Sequence, residues 1–350
     1  MRAHFSFGAH GAPDLDSRSV RIFSGIQPTG RKHLGNYIGA IRQYVEGQGR
    51  GDAVYCVVDL HAITVAYRPE ELRGYVLDTT AMLLASGLDP DRCILFRQSD
   101  VHEHTELCWL LSSLTAHGDL NRMHQFREKS AKQRELISAG LFLYPVLQAA
   151  DILAYRADEV PVGDDQRQHV ELTRDIAERF NERFGETLVV PRHRIPEVGA
   201  RIMDLQAPDQ KMSTTAATDA GTIYVTDDEA VVAKKVKSAV TDSGSEVVRG
   251  PGKAGISNLV EVLAVIRGTD PGEVERAFAG ERYGSFKQAV ADEIVAYLAP
   301  VRERYADLRE DEAGLETTLE RGAERARAIA SEVVAQVRER MGVGAVDALR

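Results

Sequence analysis

The chain is poor in cysteine and tryptophan, with three of the first and one of the second in 350 residues. Cys56, Cys93 and Cys108 are too few and too scattered for a disulfide framework, and no Cys-x-x-Cys pair offers the common zinc or iron–sulfur spacing. All three are expected as small buried hydrophobes. Long apolar runs are also missing. No stretch approaches the ~18 residues that a membrane helix needs, so no spanning segment is expected although 43% of the residues are apolar. Residues 1–19 lack the basic start and continuous apolar core of a secretory signal and read as a loose tail. A cytoplasmic location is the expectation. Positive charge is in deficit: 43 Lys and Arg face 53 Asp and Glu, a formal net charge of -10. That balance argues against a protein coated in nucleic acid, while local basic patches can still carry phosphate contacts.

What is present is alternation. Residues 21–24 and 53–58 read as short buried strands, and between them 35–46 forms a helix with Ile38, Ile41 and Val45 on one face. The pattern repeats with a helix over 69–86, a strand over 93–97, a helix around 103–113, a strand over 159–162 and a helix over 165–183 that buries Val170, Ile176 and Phe180. Such alternation predicts a parallel sheet covered by helices, with ligands at the carboxyl ends of the strands. From Asp228 onward the period is helical almost throughout, over 231–240, 259–266, 286–305 and 315–341. Phe286, Val290, Ile294 and Leu298 form one apolar stripe. In the last helix Leu319, Ala323, Ala326, Ala330, Val333 and Val337 make a narrow seam of mostly small residues, expected to pack back on another helix. The fold class predicted is α/β: a Rossmann-like domain over 20–208, a loop and linker over 209–221, and an all-helical domain over 222–350.

Three stretches carry chemistry. Gly25-Ile26-Gln27-Pro28-Thr29-Gly30 lies between the first strand and the first helix, where backbone N–H groups and a helix start favour anions. His33 and Asn36 follow at the mouth of that helix, able to donate to phosphate or ribose oxygens without adding negative charge. Far downstream, Lys211-Met212-Ser213-Thr214-Thr215 follows a polar loop. Tyr144, Gln148 and Asp151 recur at helical spacing, so a helix there puts them on one face. A carboxylate in that apolar neighbourhood needs hydrogen-bond donors. Taken alone, the glycine loop reads more readily as a tight turn, and Lys129, in Gln125-Phe126-Arg127-Glu128-Lys129-Ser130, as part of a solvated charged helix, while 211–215 has an ordinary polar loop as its plain alternative.

Together these stretches resemble class I aminoacyl-tRNA synthetases. His33-Leu34-Gly35-Asn36 and Lys211-Met212-Ser213-Thr214-Thr215 are similar to that class's H-I-G-H and K-M-S-K-S signatures. The run from Ser24 to Ala40 fits the pattern S-G-I-Q-P-[ST]-G-x-x-[HT]-[IL]-G-N-Y-x-G-A of the bacterial-type tryptophanyl enzymes. The stretch from Val160 to Asp175 fits their V-P-V-G-[ED]-D-Q-x-Q-H-x-E-L-[TS]-R-D, and 237–243 and 255–259 match as well. The resemblance covers roughly residues 21–342.

It implies activation of L-tryptophan by ATP with Mg²⁺ as a substrate complex, transfer to tRNA(Trp), an anticodon-binding role for the helical domain, and a homodimer. It implies catalytic roles for Lys211, Lys129, His33 and Asn36. ATP would meet Gln27, Pro28, Thr29, Gly35, Asn36, Gly163, Asp164, Ile202, Lys211, Met212 and Ser213. Tryptophan would meet Tyr144, Gln148, Asp151, His61, Gln166 and Gln27, with Asp151 accepting from the indole N–H. No protein metal cage is implied, and Lys234, Lys235 and Lys237 are the expected region for tRNA. Two positions depart from the pattern. Thr214 stands where the family usually has lysine. Gln148 stands where the bacterial tryptophanyl enzymes commonly have methionine, and Y-x-x-x-Q-x-x-D is similar to the tyrosyl enzyme's pocket. Tyrosine specificity, and a non-catalytic tryptophan- or nucleotide-binding regulator, therefore stand as the alternatives.

Overall fold

Among the described residues the five strands of the sheet pair in parallel, each followed by helix before the next begins. The computed structural model describes residues 19–123, 137–163, 166–194, 202–213 and 219–345. Strand β1 is Arg21–Ile26. Helix α1 occupies 34–47, entered through an α-turn at Leu34–Asn36, widened into a π-turn at Tyr37–Ile41 and closed as α-helix over Arg42–Gly47. The π-turn buries Tyr37, Ile38 and Ile41 together, and Val45, expected on the same face, is only half-buried. A wider turn rotates the residues that follow it off the face that a regular period assigns.

Strand β2 (Asp52–Val57), helix α2 (Pro69–Ala85), strand β3 (Ile94–Arg97) and helix α3 (Glu103–Ser112) continue the alternation. Helix α4 (Ala139–Leu153) starts where the Ser138 side chain accepts from the Leu141 N–H, leads to strand β4 (Glu159–Pro161) and is followed by helix α5 (Arg167–Phe184). Strand β5, Arg192–Arg194, was not expected. Its Arg-His-Arg carries no apolar alternation, and it is held by pairing with β4 instead. The sheet order is β3-β2-β1-β4-β5. The order reverses between β1 and β4, and the carboxyl ends of the strands at such a reversal are the usual place for a ligand in sheets of this kind.

Beyond the 202–213 segment come α6 (Glu229–Lys237), capped by Asp228, α7 (Ala254–Arg267), α8 (Pro271–Ala277), α9 (Tyr283–Glu310) and α10 (Glu312–Met341). One apolar cluster runs from Leu34, Tyr37 and Ile41 of α1 to Val236 of α6, Leu259 of α7 and Ile294 of α9. A second joins Phe23, Val54 and Phe96 to α3, α4, α5 and the small-residue seam of α10. That seam packs with helix α3 in this cluster, as its spacing suggested, and it also lies against edge strand β3. The reason is Gly322: a Cβ there would stand 1.8 Å from the Leu95 carbonyl oxygen, so backbone meets backbone. Arg325 donates to the Pro90 and Cys93 carbonyls from the same helix. Cys56 and Cys93 are buried as expected, but Cys108, on a flank of α3, is only half-buried. Among the described residues no helix is long and apolar enough to cross a membrane.

Candidate active site

The two signature segments, far apart in sequence, meet at the end of β1. His33 ends the loop after that strand and caps α1: Asn36 N–H donates to His33 Nδ1, and His33 N–H donates to Asn36 Oδ1, each at 3.2 Å. With Nδ1 accepting, the neutral ring carries its proton on Nε2. Burial first, then the charges of Lys211 and Lys32, lower the His33 pKa to about 4, so at neutral pH it is an uncharged donor. Lys32 cross-links the preceding loop, donating to the Gln27 carbonyl (3.1 Å) and the Thr29 carbonyl (3.0 Å). The Gln27 and Thr29 side chains are exposed and Pro28 is buried. Gly35 is needed for close approach, since a Cβ there would stand 3.1 Å from the His33 ring and 3.6 Å from Ile202 Cβ.

The second segment is a narrow antiparallel stem. Met212 N–H donates to the Ile202 carbonyl (3.0 Å) and Asp204 N–H to the Gln210 carbonyl (2.9 Å), with Met203 paired to Lys211. Ile202 and Met212 are buried, Ser213 is half-buried and Lys211 is exposed. Asn258 of α7 clamps the stem with both amide atoms, at 2.9 and 3.0 Å from Met203 N and O. The loop closes where Thr222 Oγ1 donates to the Ser213 carbonyl (2.9 Å), and Leu34 N–H then donates to the Ile223 carbonyl (2.8 Å). Lys129, Asp164 and Thr214 lie outside the described residues. Gly163 is exposed just after β4, and Gln166 N–H donates to its carbonyl at 2.9 Å.

A different chemistry occupies the ends of β2 and β3. Asp151 of α4 is buried, and its Oδ2 faces His61 Nε2 at 2.8 Å, His61 lying in the helical turn Asp59–Ala62 after β2. Its Oδ1 accepts from Gln98 Nε2 at 2.7 Å, just past β3, and faces His104 Nδ1 at 2.5 Å. Burial alone would raise the carboxyl pKa. The hydrogen bonds from His104 and His61 overcome it and hold Asp151 well below the usual carboxylate range, so the group is an ionised acceptor. Tyr144 lies two turns earlier on α4. Its ring meets His61 edge-on at 6.2 Å, its hydroxyl pairs with His169 Nε2 at 2.8 Å, and burial pushes its phenol up to about 12. Gln148, between them on the same face, is half-buried.

Of the expected residues, the fold thus joins His61, Tyr144 and Asp151 in one cluster and His33, Gly35, Asn36, Ile202 and Lys211 in another. Gln98, His104, Lys32 and Asn258 were missed. Gln98 had a readable signal, as a polar residue directly after a predicted strand on the ligand side of the sheet, and Asn258 lay within the matching stretch 255–259 without a role being assigned to it. The expected tRNA lysines need one correction. Lys235 is mostly buried and spent inside the protein, donating to Asp227 Oδ2 and the Thr222 carbonyl, both at 2.7 Å. Asp227 also holds Arg31 at 2.8 Å, which ties the 222–227 segment to the loop before α1.

A family model described as tRNA synthetases class I (W and Y) matches residues 15–299. The tryptophan–tRNA ligase 2 of Streptomyces avermitilis is 52% identical over 332 residues, covering 94% of this chain and 98% of that protein. The crystal structure of tryptophanyl-tRNA synthetase from Mycoplasma pneumoniae superposes with a TM-score of 0.83 at 34% identity, covering 93% of this chain and 98% of that one. The Campylobacter jejuni enzyme, solved in complex with ADP and tryptophan, gives 0.81 at 35% identity over 93% and 100%. The chain belongs to the class I tRNA synthetases and, within them, to the bacterial-type tryptophan–tRNA ligases.

Proposed function

We propose that this chain activates L-tryptophan with ATP and transfers the tryptophanyl group to tRNA(Trp). The tryptophan carboxylate attacks the α-phosphorus of ATP, pyrophosphate leaves, and a terminal ribose hydroxyl of the tRNA then takes the acyl group from the adenylate. The substrate is itself the nucleophile, so the protein contributes positioning and stabilisation of phosphate charge. The observation that carries this reading is the placement at one end of the sheet of a cationic, donor-rich site (His33, Asn36, Lys211) and a separate buried anionic acceptor (Asp151).

On this reading, Lys211 and Lys129 neutralise charge on the leaving pyrophosphate, while His33 and Asn36 with Gln27, Pro28, Thr29, Gly35, Gly163, Asp164, Ile202, Met212 and Ser213 line the nucleotide. Mg²⁺ arrives with ATP and is held chiefly by phosphate oxygens. Asp151 accepts from the indole N–H, with Tyr144, Gln148, His61, Gln166 and Gln27 around the amino acid. The helical region after residue 222 takes the tRNA, through Lys234 and Lys237 rather than Lys235. The enzyme works in the cytoplasm as a homodimer. Trp109, the chain's single tryptophan, is 76% exposed and reports assembly, since burial in a dimer contact would shift its emission to the blue.

Tryptophan-dependent exchange of pyrophosphate into ATP tests the core of the proposal. Exchange with tyrosine instead would favour the pocket that Gln148 resembles. Binding of tryptophan without exchange would mark a regulator.

A further inference from the structure

The polar cluster behind Asp151 extends beyond the groups that can touch a substrate. His104 is fully buried on α3, outside both signature segments. Its Nδ1 stands 2.5 Å from Asp151 Oδ1 and its Nε2 2.6 Å from Tyr155 Oη. Tyr155 follows α4 by two residues and is also fully buried, its ring stacked on Phe23 at 5.5 Å and tilted against Phe96 at 5.6 Å.

Proton counting fixes the tautomer. An ionised carboxylate only accepts, so His104 Nδ1 must carry the hydrogen that faces Asp151. Among the described residues Tyr155 Oη has no partner other than His104. Its hydrogen therefore has one use, donation to a bare Nε2. Burial, followed by the charges of Cys56, Asp151 and Glu103, raises the Tyr155 phenol well above its ordinary value and keeps it a donor. A carboxylate offers about four acceptor directions. Gln98 and His104 take two on Oδ1, and His61 takes one on Oδ2.

We propose that Tyr155 and His104 are positioning residues that pin Oδ1 of Asp151, so that the one acceptor direction left on Oδ2 is held for a ring N–H of the substrate. The pair thereby sets discrimination between an indole and a ring of the same shape that lacks the N–H. This rests on the proposed role of Asp151 as indole acceptor. Tyr155 acts entirely through His104, and His104 entirely through the carboxylate.

The test is pyrophosphate exchange by the full chain with tryptophan and with 3-(benzothiophen-3-yl)alanine, in which sulfur replaces the N–H. Tyr155→Phe removes one oxygen and keeps the stacked ring. It is expected to lower kcat/KM for tryptophan roughly tenfold through KM, with the analogue and the KM for ATP unchanged. His104→Gln should shrink the preference at least as far. His104→Asn, whose amide nitrogen can take the place of Nδ1, should restore part of it. Equal losses for the two compounds, or an undiminished preference in both Tyr155→Phe and His104→Gln, overturns the proposal. So does ¹⁵N NMR of the unmodified protein if His104 carries its proton on Nε2 alone, a measurement that does not depend on any variant folding. Asp151→Asn separates the two layers: a preference that survives it removes the indole role of Asp151, whereas one lost there but intact in Tyr155→Phe removes only the relay.

Discussion

Around Asp151 the partners sit on helices or on the first turn after a strand, and three side chains, His61, Gln98 and His104, meet the carboxylate. Around Lys211 the chain is held instead by isolated backbone bridges, a two-atom clamp from Asn258 and a loop whose closing bond comes from Thr222. One side is a fixed set of side-chain hydrogen bonds. The other is a set of anchored ends around an exposed lysine. The difference fits the two tasks proposed for these sides, because selecting an amino acid needs fixed acceptors, while stabilising a leaving group needs charge that engages most strongly in the transition state.

The largest expected effect breaks the Lys211 side alone. Lys211→Ala should remove about 3 kcal/mol from activation with tryptophan affinity nearly unchanged, the signature of an interaction made mainly in the transition state. Single-turnover adenylate formation measures it, and a nearly silent variant would show that this loop does not grip the triphosphate. Thr214→Lys should then speed the same step or lower the KM for ATP. Asp151→Asn addresses the opposite side. It should cost about 2 kcal/mol in kcat/KM for tryptophan, because a charge-assisted acceptor becomes neutral, while the KM for ATP stays constant. Loss in both substrates would blur the division drawn here.

A smaller effect comes from pH. The folded pKa of His33, lowered to about 4, lies below the ordinary imidazole value of about 6.5 that the unfolded chain shows, so the folded state binds fewer protons than the unfolded chain between the two. Its stabilising contribution is complete above about pH 6.5 and is lost as pH falls toward 4. At pH 5 the loss is on the order of 1 to 2 kcal/mol. Thermal unfolding of His33→Asn against the parent should show a flatter profile in that window, and superimposable profiles would contradict the burial argument. The smallest effect separates neighbouring lysines. Lys235→Ala should lower stability by about 1 kcal/mol, because its hydrogen bonds to Asp227 and Thr222 are lost while Asp227 keeps Arg31 as its partner, whereas Lys234→Ala with Lys237→Ala should leave melting alone and reduce tRNA charging with a shallower salt dependence. Equal melting shifts would mean that Lys235 is not the structural member of the group.

Much of the fold was legible, and the reasons are local. The stripe of Phe286, Val290, Ile294 and Leu298 lies buried in α9 as its spacing requires, and β1 to β4 with α1, α2 and α3 follow from hydrophobic period, whereas α4 was marked only by the spacing of Tyr144, Gln148 and Asp151. Strand β5 was not, because its residues record no burial pattern of their own. The same limit governs the site. The 24–40 run carries its signal within one stretch, but His104 meets Asp151 from 47 residues away and Lys235 meets an aspartate that any exposed lysine could equally have faced. Sequence shows which side chains can donate; only the fold shows which have already done so.

Helix α10 lies over the free edge of the sheet, with Gly322 against the Leu95 carbonyl. During synthesis that edge is made more than two hundred residues before its cover. Until then β3 presents unpaired backbone groups of the kind that recruit foreign strands. A ribosome that stops inside α10 would therefore release a chain in which His33, Asp151 and Lys211 are all present but whose sheet is unsealed, and its fate would be decided by chaperones and proteases rather than by catalysis.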